Sequence, residues 1–251
     1  MKFSPFFAYS LCISLAAPAF AQQKTSSLPP EATEVWTPEP RVVVPGKENH
    51  LAPSDAVVLF DGKDLNAWQS IKTGEKAEWT VKDGVFTIKA GSGDIATKEK
   101  FSNVQVHIEW KAPEVVKGEG QGRGNSGLFF MDRYEVQILD SYKNRTYSNG
   151  QAASLYKEGI PLVNAMRSPQ EWNTYDVFFT APVFNKDSIL LSPAYVTVIH
   201  NGVLVQNHYE LKGSTSYIGI HQYEAHPGEL PIKLQDHGNP VSFRNIWVRR
   251  L

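Results

Sequence analysis

Tyr195-Val196-Thr197-Val198-Ile199-His200-Asn201-Gly202-Val203-Leu204-Val205-Gln206 decides the fold class. Two β-branched arms flank Asn-Gly, the dipeptide that accepts the two consecutive positive φ angles of a type I′ turn, so the stretch predicts a β-hairpin. A second hairpin lies upstream, where Trp79-Thr80-Val81-Lys82 and Val85-Phe86-Thr87-Ile88 alternate around Asp83-Gly84. Outward from these, Val104–Trp110, Tyr134–Ile138 and Tyr175–Phe179 alternate apolar and polar residues with period two, the pattern of half-buried strands. Ala56–Phe60, Ser216–His221 and Val241–Arg249 read as further strands. No segment carries a long 3.6-residue apolar period. About ten strands without helices between them exclude a doubly wound α/β fold and predict an all-β antiparallel sandwich of the jelly-roll kind.

The composition of the 251 residues narrows the function classes. Lys plus Arg is 25 and Asp plus Glu is 26, a formal charge of -1. With no positive excess to neutralise phosphates, nucleic acid and anionic lipid are not expected partners. Aromatics at 12% suit both sheet cores and sugar-binding surfaces.

At the amino terminus, Lys2 precedes an apolar run to Ala17, and Ala19-Phe20-Ala21 has the small-x-small form of a signal-peptidase site. A signal peptide over residues 1–21 and an exported, periplasmic or secreted protein are therefore expected. No later stretch approaches the roughly 18 apolar residues of a membrane span. The single cysteine, Cys12, falls in that first segment, so the exported chain relies on its core and not on disulfides. Residues 22–55 carry six prolines and read as a leader or linker, and residues 56–251 as one domain.

Four ordered phrases carry a family resemblance: Leu59-Phe60-Asp61-Gly62-Lys63-Asp64-Leu65-Asn66-Ala67-Trp68, Gly124-Asn125-Ser126-Gly127-Leu128-Phe129-Phe130, Tyr134-Glu135-Val136-Gln137-Ile138-Leu139-Asp140 and Phe243-Arg244-Asn245-Ile246-Trp247. From about residue 54 onward the chain resembles the 3-keto-disaccharide hydrolase family. That resemblance implies a concanavalin-like, lectin-like jelly roll and cleavage of glycosides already oxidised to a ketone at sugar C3. The chain has no dinucleotide-binding fingerprint, so a separate C3-oxidising oxidoreductase is the expected source of the ketone.

The alternation of Tyr134–Ile138 puts Val136 and Ile138 on one face and Glu135 and Gln137 on the other. The position of a second carboxylate on that strand is held by Gln137 or Leu139, which supplies the two-carboxylate glycosidase mechanism poorly. A C3 ketone acidifies the proton on C2, so a base, an enolate stabiliser and a proton donor suffice for elimination followed by hydration. Glu135 is the candidate base, and Gln137 a candidate ligand of a sugar hydroxyl. Among the glycines of residues 118–127, Arg123 is a candidate to hold the enolate or keto oxygen, and Asn125 to bind substrate or brace the turn. Lys233-Leu234-Gln235-Asp236-His237-Gly238 adds Gln235 as a binding amide and His237 as an acid or metal ligand. A divalent cation is compatible with Glu135, His237 and Asp140.

Glu109 shares the polar face of its strand with His107, and becomes the missing second carboxylate if that face is the concave one. Trp68, Tyr156 and Tyr223 are candidates to stack on a sugar ring or to fill the core. A non-catalytic carbohydrate-binding module and a conventional glycosidase acting on unoxidised sugar are the alternative readings.

Overall fold

The computed structural model describes residues 28–251, so the expected signal segment and Cys12 lie outside the described residues. Two compact units divide the chain after Val42. In the first, a 3₁₀ turn spans Pro30–Thr33 and the Trp36 indole donates to Glu34. In the second, the strands are β1 (Val57–Phe60), β2 (Trp68–Ser70), β3 (Thr80–Lys82), β4 (Val85–Thr87), β5 (Ile95–Thr97), β6 (Val104–Lys111), β7 (Ser126–Phe130) and β8 (Tyr134–Ile138). They continue as β9 (Asn173–Thr180), β10 (Val183–Phe184), β11 (Leu190–Ser192), β12 (Tyr195–His200), β13 (Val203–Glu210), β14 (Lys233–Leu234) and β15 (Ser242–Arg250). No α-helix occurs among the described residues.

One sheet runs β13-β12-β9-β6-β15-β4-β3 with β1 also on β15; a second runs β2-β5-β14-β7-β8; β10 and β11 pair separately. Every pairing between strands is antiparallel. Both predicted hairpins form on left-handed turn residues, Asp83 at φ 52° with Gly84 at 75°, and Asn201 at 53° with Gly202 at 79°.

The inward residues of the two sheets close one core. Val106, Ile108, Trp110, Val177 and Phe179 meet Leu128, Phe130, Val136 and Ile138. The Phe130 and Phe179 rings stack across the sandwich at 4.8 Å, and the Tyr175 hydroxyl donates to the Gln137 main-chain carbonyl at 2.9 Å. That core fixes β7 and β8 from behind, so the side chains of opposite parity on those strands stand on a rigid outer face.

Two sequence expectations meet a different structure. Ser216–His221 is a loop with one isolated bridge at its base, Ser214 to Gln222, because Ile218 and Ile220 are 80% and 84% exposed and have no sheet to face. Residues 43–55 belong to the same compact unit as the sandwich. The His50 carbonyl accepts from Trp247 Nε1 and Asn245 Nδ2, both at 2.9 Å, and Asp55 takes a two-pronged contact from Arg249 at 2.8 Å on each oxygen. This segment covers the outer face of the larger sheet.

Candidate active site

Register places the outward row of the smaller sheet. Gln69 stands opposite Ala96, Ala96 opposite Lys233, Lys233 opposite Phe129, and Phe129 opposite Glu135; the neighbouring pair on β7 and β8 is Gly127 and Gln137. At the open end of this row lies a cleft of about 670 Å³, with Glu135, Gln137 and Asn125 in its floor. Residues 151–157 run along the free edge of β8, where Gln137 N–H donates to the Ser154 carbonyl and Ala153 N–H to that of Gln137. They bring Tyr156 and Lys157 to the cleft, and the loop after β13 brings Thr215 and Tyr217. Thr215 Oγ1 accepts from the Glu135 amide at 2.9 Å, tying that loop to β8.

Glu135 is 5% exposed, and no side chain among the described residues donates to its carboxyl. Burial raises it to about 8; Asp94 adds to that rise, and the downward pull of Lys233 does not outweigh desolvation. Lys233 is already engaged, 2.9 Å from Asp132, 3.7 Å from Asp94 and over the Phe129 ring at 4.0 Å. A Cβ on Gly127 would strike the Glu135 carboxyl and lie 2.6 Å from Phe129, so only glycine leaves room for the carboxyl there. Glu135 is the only carboxylate among the described residues that line the cleft.

The opposite side of the cleft is phenolic and cationic. The Tyr147 and Tyr156 hydroxyls are 2.7 Å apart. Burial pushes both phenols above their ordinary range, so they stay protonated and can donate. The Lys157 ammonium sits 4.0 Å from the Tyr217 ring centre and donates to the Tyr217 carbonyl at 2.6 Å.

Of the residues expected from sequence, Glu135, Gln137, Asn125, Gln235 and the exposed His237 come together at the cleft. Arg123 does not. Its guanidinium turns into a separate hollow beside Asp140, donating from Nε to Asp140 Oδ2 at 2.7 Å and from Nη2 to the Tyr142 carbonyl at 3.0 Å. Arg123 therefore braces the loop before β7, and Asp140 serves as its partner.

Glu109 stands on the outer face of the other sheet, bound by Arg244 at 2.6 Å and Asn245 at 2.8 Å. Burial works against its charge, but the His107 ring 3.7 Å away and the hydrogen bonds from Asn245 and Arg244 outweigh it and hold the carboxyl at about 2. Beside it, His107 is pushed down by burial and raised more strongly by Asp176 and Glu109, to about 8. Trp68 is fully buried with its indole donating to the Leu59 carbonyl, and the Tyr223 hydroxyl contacts the backbone of Ala194 and Leu211, so neither stacks at the cleft. Among the described residues no three His, Cys, Asp or Glu side chains converge as a cation cage, and Asp140 faces away from Glu135 and His237.

Sequence reasoning missed Gln121, Tyr147, Lys157 and Thr215. Gln121 reaches the floor from a 3₁₀ turn at Gly120–Gly122, where the neighbouring glycines read only as a loop. Tyr147 precedes Ser148-Asn149-Gly150, a turn signal that marks a loop but not its position beside β8.

A 3-keto-disaccharide hydrolase of Bacteroides thetaiotaomicron is 27% identical over 242 residues, spanning 79% of this chain and 80% of that protein. A Parabacteroides distasonis crystal structure described as a candidate glycosyl hydrolase superposes with a TM-score of 0.86 at 53% identity, covering 90% of this chain and 98% of that one. A second candidate glycosyl hydrolase from that organism shares the fold at a TM-score of 0.58 and 22% identity, over 78% and 94% of the two chains. Residues 55–249, the sandwich with Glu135 on its outer face, match the 3-keto-alpha-glucoside-1,2-lyase-like domain, and the chain belongs to that family.

Proposed function

We propose that this glycosidase-like enzyme cleaves 3-keto-glycosides, 3-keto-disaccharides among them, at the Glu135 cleft by elimination and hydration. The observation that carries the reading is a single desolvated carboxyl, raised to about 8, in a cleft lined by no second carboxylate among the described residues. Such a group is, once ionised, a far stronger base than an ordinary carboxylate, which suits removal of a carbon-bound proton. The two-carboxylate glycosidase mechanism has no partner here.

In the forward step Glu135 takes the proton from C2, and the electron pair of that C–H bond forms the enolate of the C3 ketone. The enolate then forms the C1–C2 double bond as the C1–O bond breaks, and the leaving oxygen takes a proton from a donor at the cleft. Tyr147, Tyr156 and His237 are the available donors. Addition of water at C1 with reprotonation at C2 returns a free 3-keto sugar, so the net change is hydrolysis. A separate oxidoreductase supplies the ketone, and the signal segment expected at residues 1–21 puts the reaction outside the cytoplasm.

The test is turnover of a chromogenic 3-keto-glucoside beside its unoxidised parent, in deuterated water, with wild type and Glu135→Gln. Release from the keto compound alone, deuterium incorporated at C2, and loss of both in the variant are expected. Equal release from the unoxidised glucoside, or undiminished release by the variant, refutes the mechanism. Sugar binding without release from either compound moves the reading to a carbohydrate-binding module.

A further inference from the structure

We infer that Gln121 is a positioning residue that turns two buried amides of the cleft floor into bare acceptors, so the floor binds a sugar through hydroxyl groups that donate. This rests on the reading of the cleft as a sugar site and adds the polarity of its recognition.

Gln121 Nε2 lies 2.8 Å from the Gly150 carbonyl and 3.0 Å from Thr146 Oγ1. The carbonyl fixes the Gln121 amide with its nitrogen on that side and its oxygen toward β8. Gln137 must then present its nitrogen to that oxygen, and its Nε2 donates to Gln121 Oε1 at 2.9 Å. The Gln137 oxygen is left facing away from this bond, in a residue 1% exposed and with no hydrogen-bond partner.

Asn125 is fixed by the same residue. Its Nδ2 donates to the Gln121 main-chain carbonyl at 2.7 Å, and its Oδ1 is likewise buried, in a residue 3% exposed, and without a partner. Both amides line the cleft. Gly150 protects the arrangement, since a Cβ there would lie 2.8 Å from Gln121 Nε2 and 2.6 Å from Tyr147 Cδ2.

Two oriented acceptors with nothing to accept are a demand for two donors. A sugar meets it with hydroxyl groups. A ketone, ether or fluorine at the same place sets one acceptor against another, so the C3 carbonyl of a keto-sugar binds away from Gln137 and Asn125, and its neighbouring hydroxyls bind toward them. Losing one such hydroxyl costs about 10- to 100-fold in binding, because the buried oxygen is then left unsatisfied.

The experiment measures equilibrium binding of methyl glucoside and its monodeoxy and monodeoxyfluoro analogues by calorimetry, and kcat/KM for the same series built on the 3-keto-glucoside. At one or more positions, wild type is expected to lose about 10- to 100-fold for the deoxy and the fluoro analogue alike. Gln121→Met frees the Gln137 amide to turn its nitrogen into the cleft, so discrimination against fluorine falls to within threefold. Gln137→Met removes one acceptor while leaving Gln121 on its Gly150 anchor, and abolishes discrimination at one position only, even if the Gln121 variant does not fold. Equal affinity of wild type for hydroxyl, deoxy and fluoro ligands, or binding of none of them, overturns the inference. Binding discrimination that persists without turnover of any keto-glucoside sinks the catalytic reading and leaves this one standing.

Discussion

Replacing Glu135 by Gln is expected to stabilise the fold while destroying the site, and the size of the gain is set by pH. Burial holds the carboxyl at about 8 in the folded protein, against the ordinary glutamate value of 4.5 when unfolded. A group with a raised folded pKa favours folding fully below its unfolded pKa, and that contribution is lost as pH rises through the folded value. At about 1.4 kcal/mol per unit, the interval from 4.5 to 7 removes about 3 kcal/mol of wild-type stability, and the loss saturates at about 5 kcal/mol above pH 8. Glutamine has nearly the same shape and no charge to desolvate, so it escapes this loss. For a domain of this size, about 3 kcal/mol corresponds to roughly 6 to 12 °C in Tm.

The assay is thermal unfolding of wild type and Glu135→Gln at half-unit steps from pH 4.5 to 9. The two proteins should melt together at the acid end and separate progressively toward pH 8. His107 and Glu109 titrate identically in both proteins and cancel in the difference. Curves that stay parallel within about 2 °C over the whole range would refute the desolvated carboxyl, and with it the strength of the proposed base. The same proton appears in kinetics: if Glu135 is the base, kcat/KM rises to a plateau above about pH 8.

Gly127→Ala is expected to lower kcat/KM by about 100-fold or more and to cost about 1–3 kcal/mol, because its Cβ forces Glu135 and Phe129 out of position; activity within twofold of wild type on a 3-keto-glucoside would contradict the close approach. Glu109→Gln should leave kcat/KM within twofold and cost about 2 kcal/mol of stability at neutral pH, discounted for the partly exposed Arg244. Glu109 has a depressed folded pKa, so its contribution is present above 4.5 and lost as pH falls toward 2; denaturant titration at pH 7 and pH 3 checks the narrowing gap.

What the sequence makes legible is what period two encodes. The alternation through β6 and β8 sorts His107 and Glu109, and Glu135 and Gln137, away from the core without any knowledge of partners. A sandwich has two outer faces, however, and alternation cannot say which one carries the cleft. That is decided by residues 43–55 lying over Trp247 on one face and by the loops carrying Tyr147, Tyr156 and Thr215 rising over the other. Arg123 shows the same limit at closer range. A charged residue among glycines beside a strand mouth reads as a ligand for substrate, but Asp140, 17 positions away, claims its guanidinium. Gln121 carried no signal at all, because its role depends on the Gly150 carbonyl, 29 residues on, being folded back against it.

The two outer faces also treat buried polar groups in opposite ways, and the contrast bears on where ligand binds. On the larger sheet, His107 contacts Asp176 at 2.7 Å and stacks on Trp247, while Glu109 takes hydrogen bonds from Arg244 and Asn245. Charge there is neutralised by charge, which is what stability alone requires of a buried ionisable group. On the smaller sheet, Glu135 is as well buried as Glu109 and has no donor, and the Gln137 and Asn125 oxygens beside it have none either. A desolvated carboxyl and two buried amide oxygens without a donor in one cleft are a standing cost, whereas in the cluster on the other face both Glu109 oxygens are hydrogen-bonded and His107 Nε2, 3.7 Å from Glu109, is the atom left without a partner. A molecule bearing hydroxyl donors and one removable proton relieves that cost. The destabilisation at Glu135 and the bare amides around it are thus two parts of one arrangement: the fold holds unpartnered the groups that the proposed substrate is to partner.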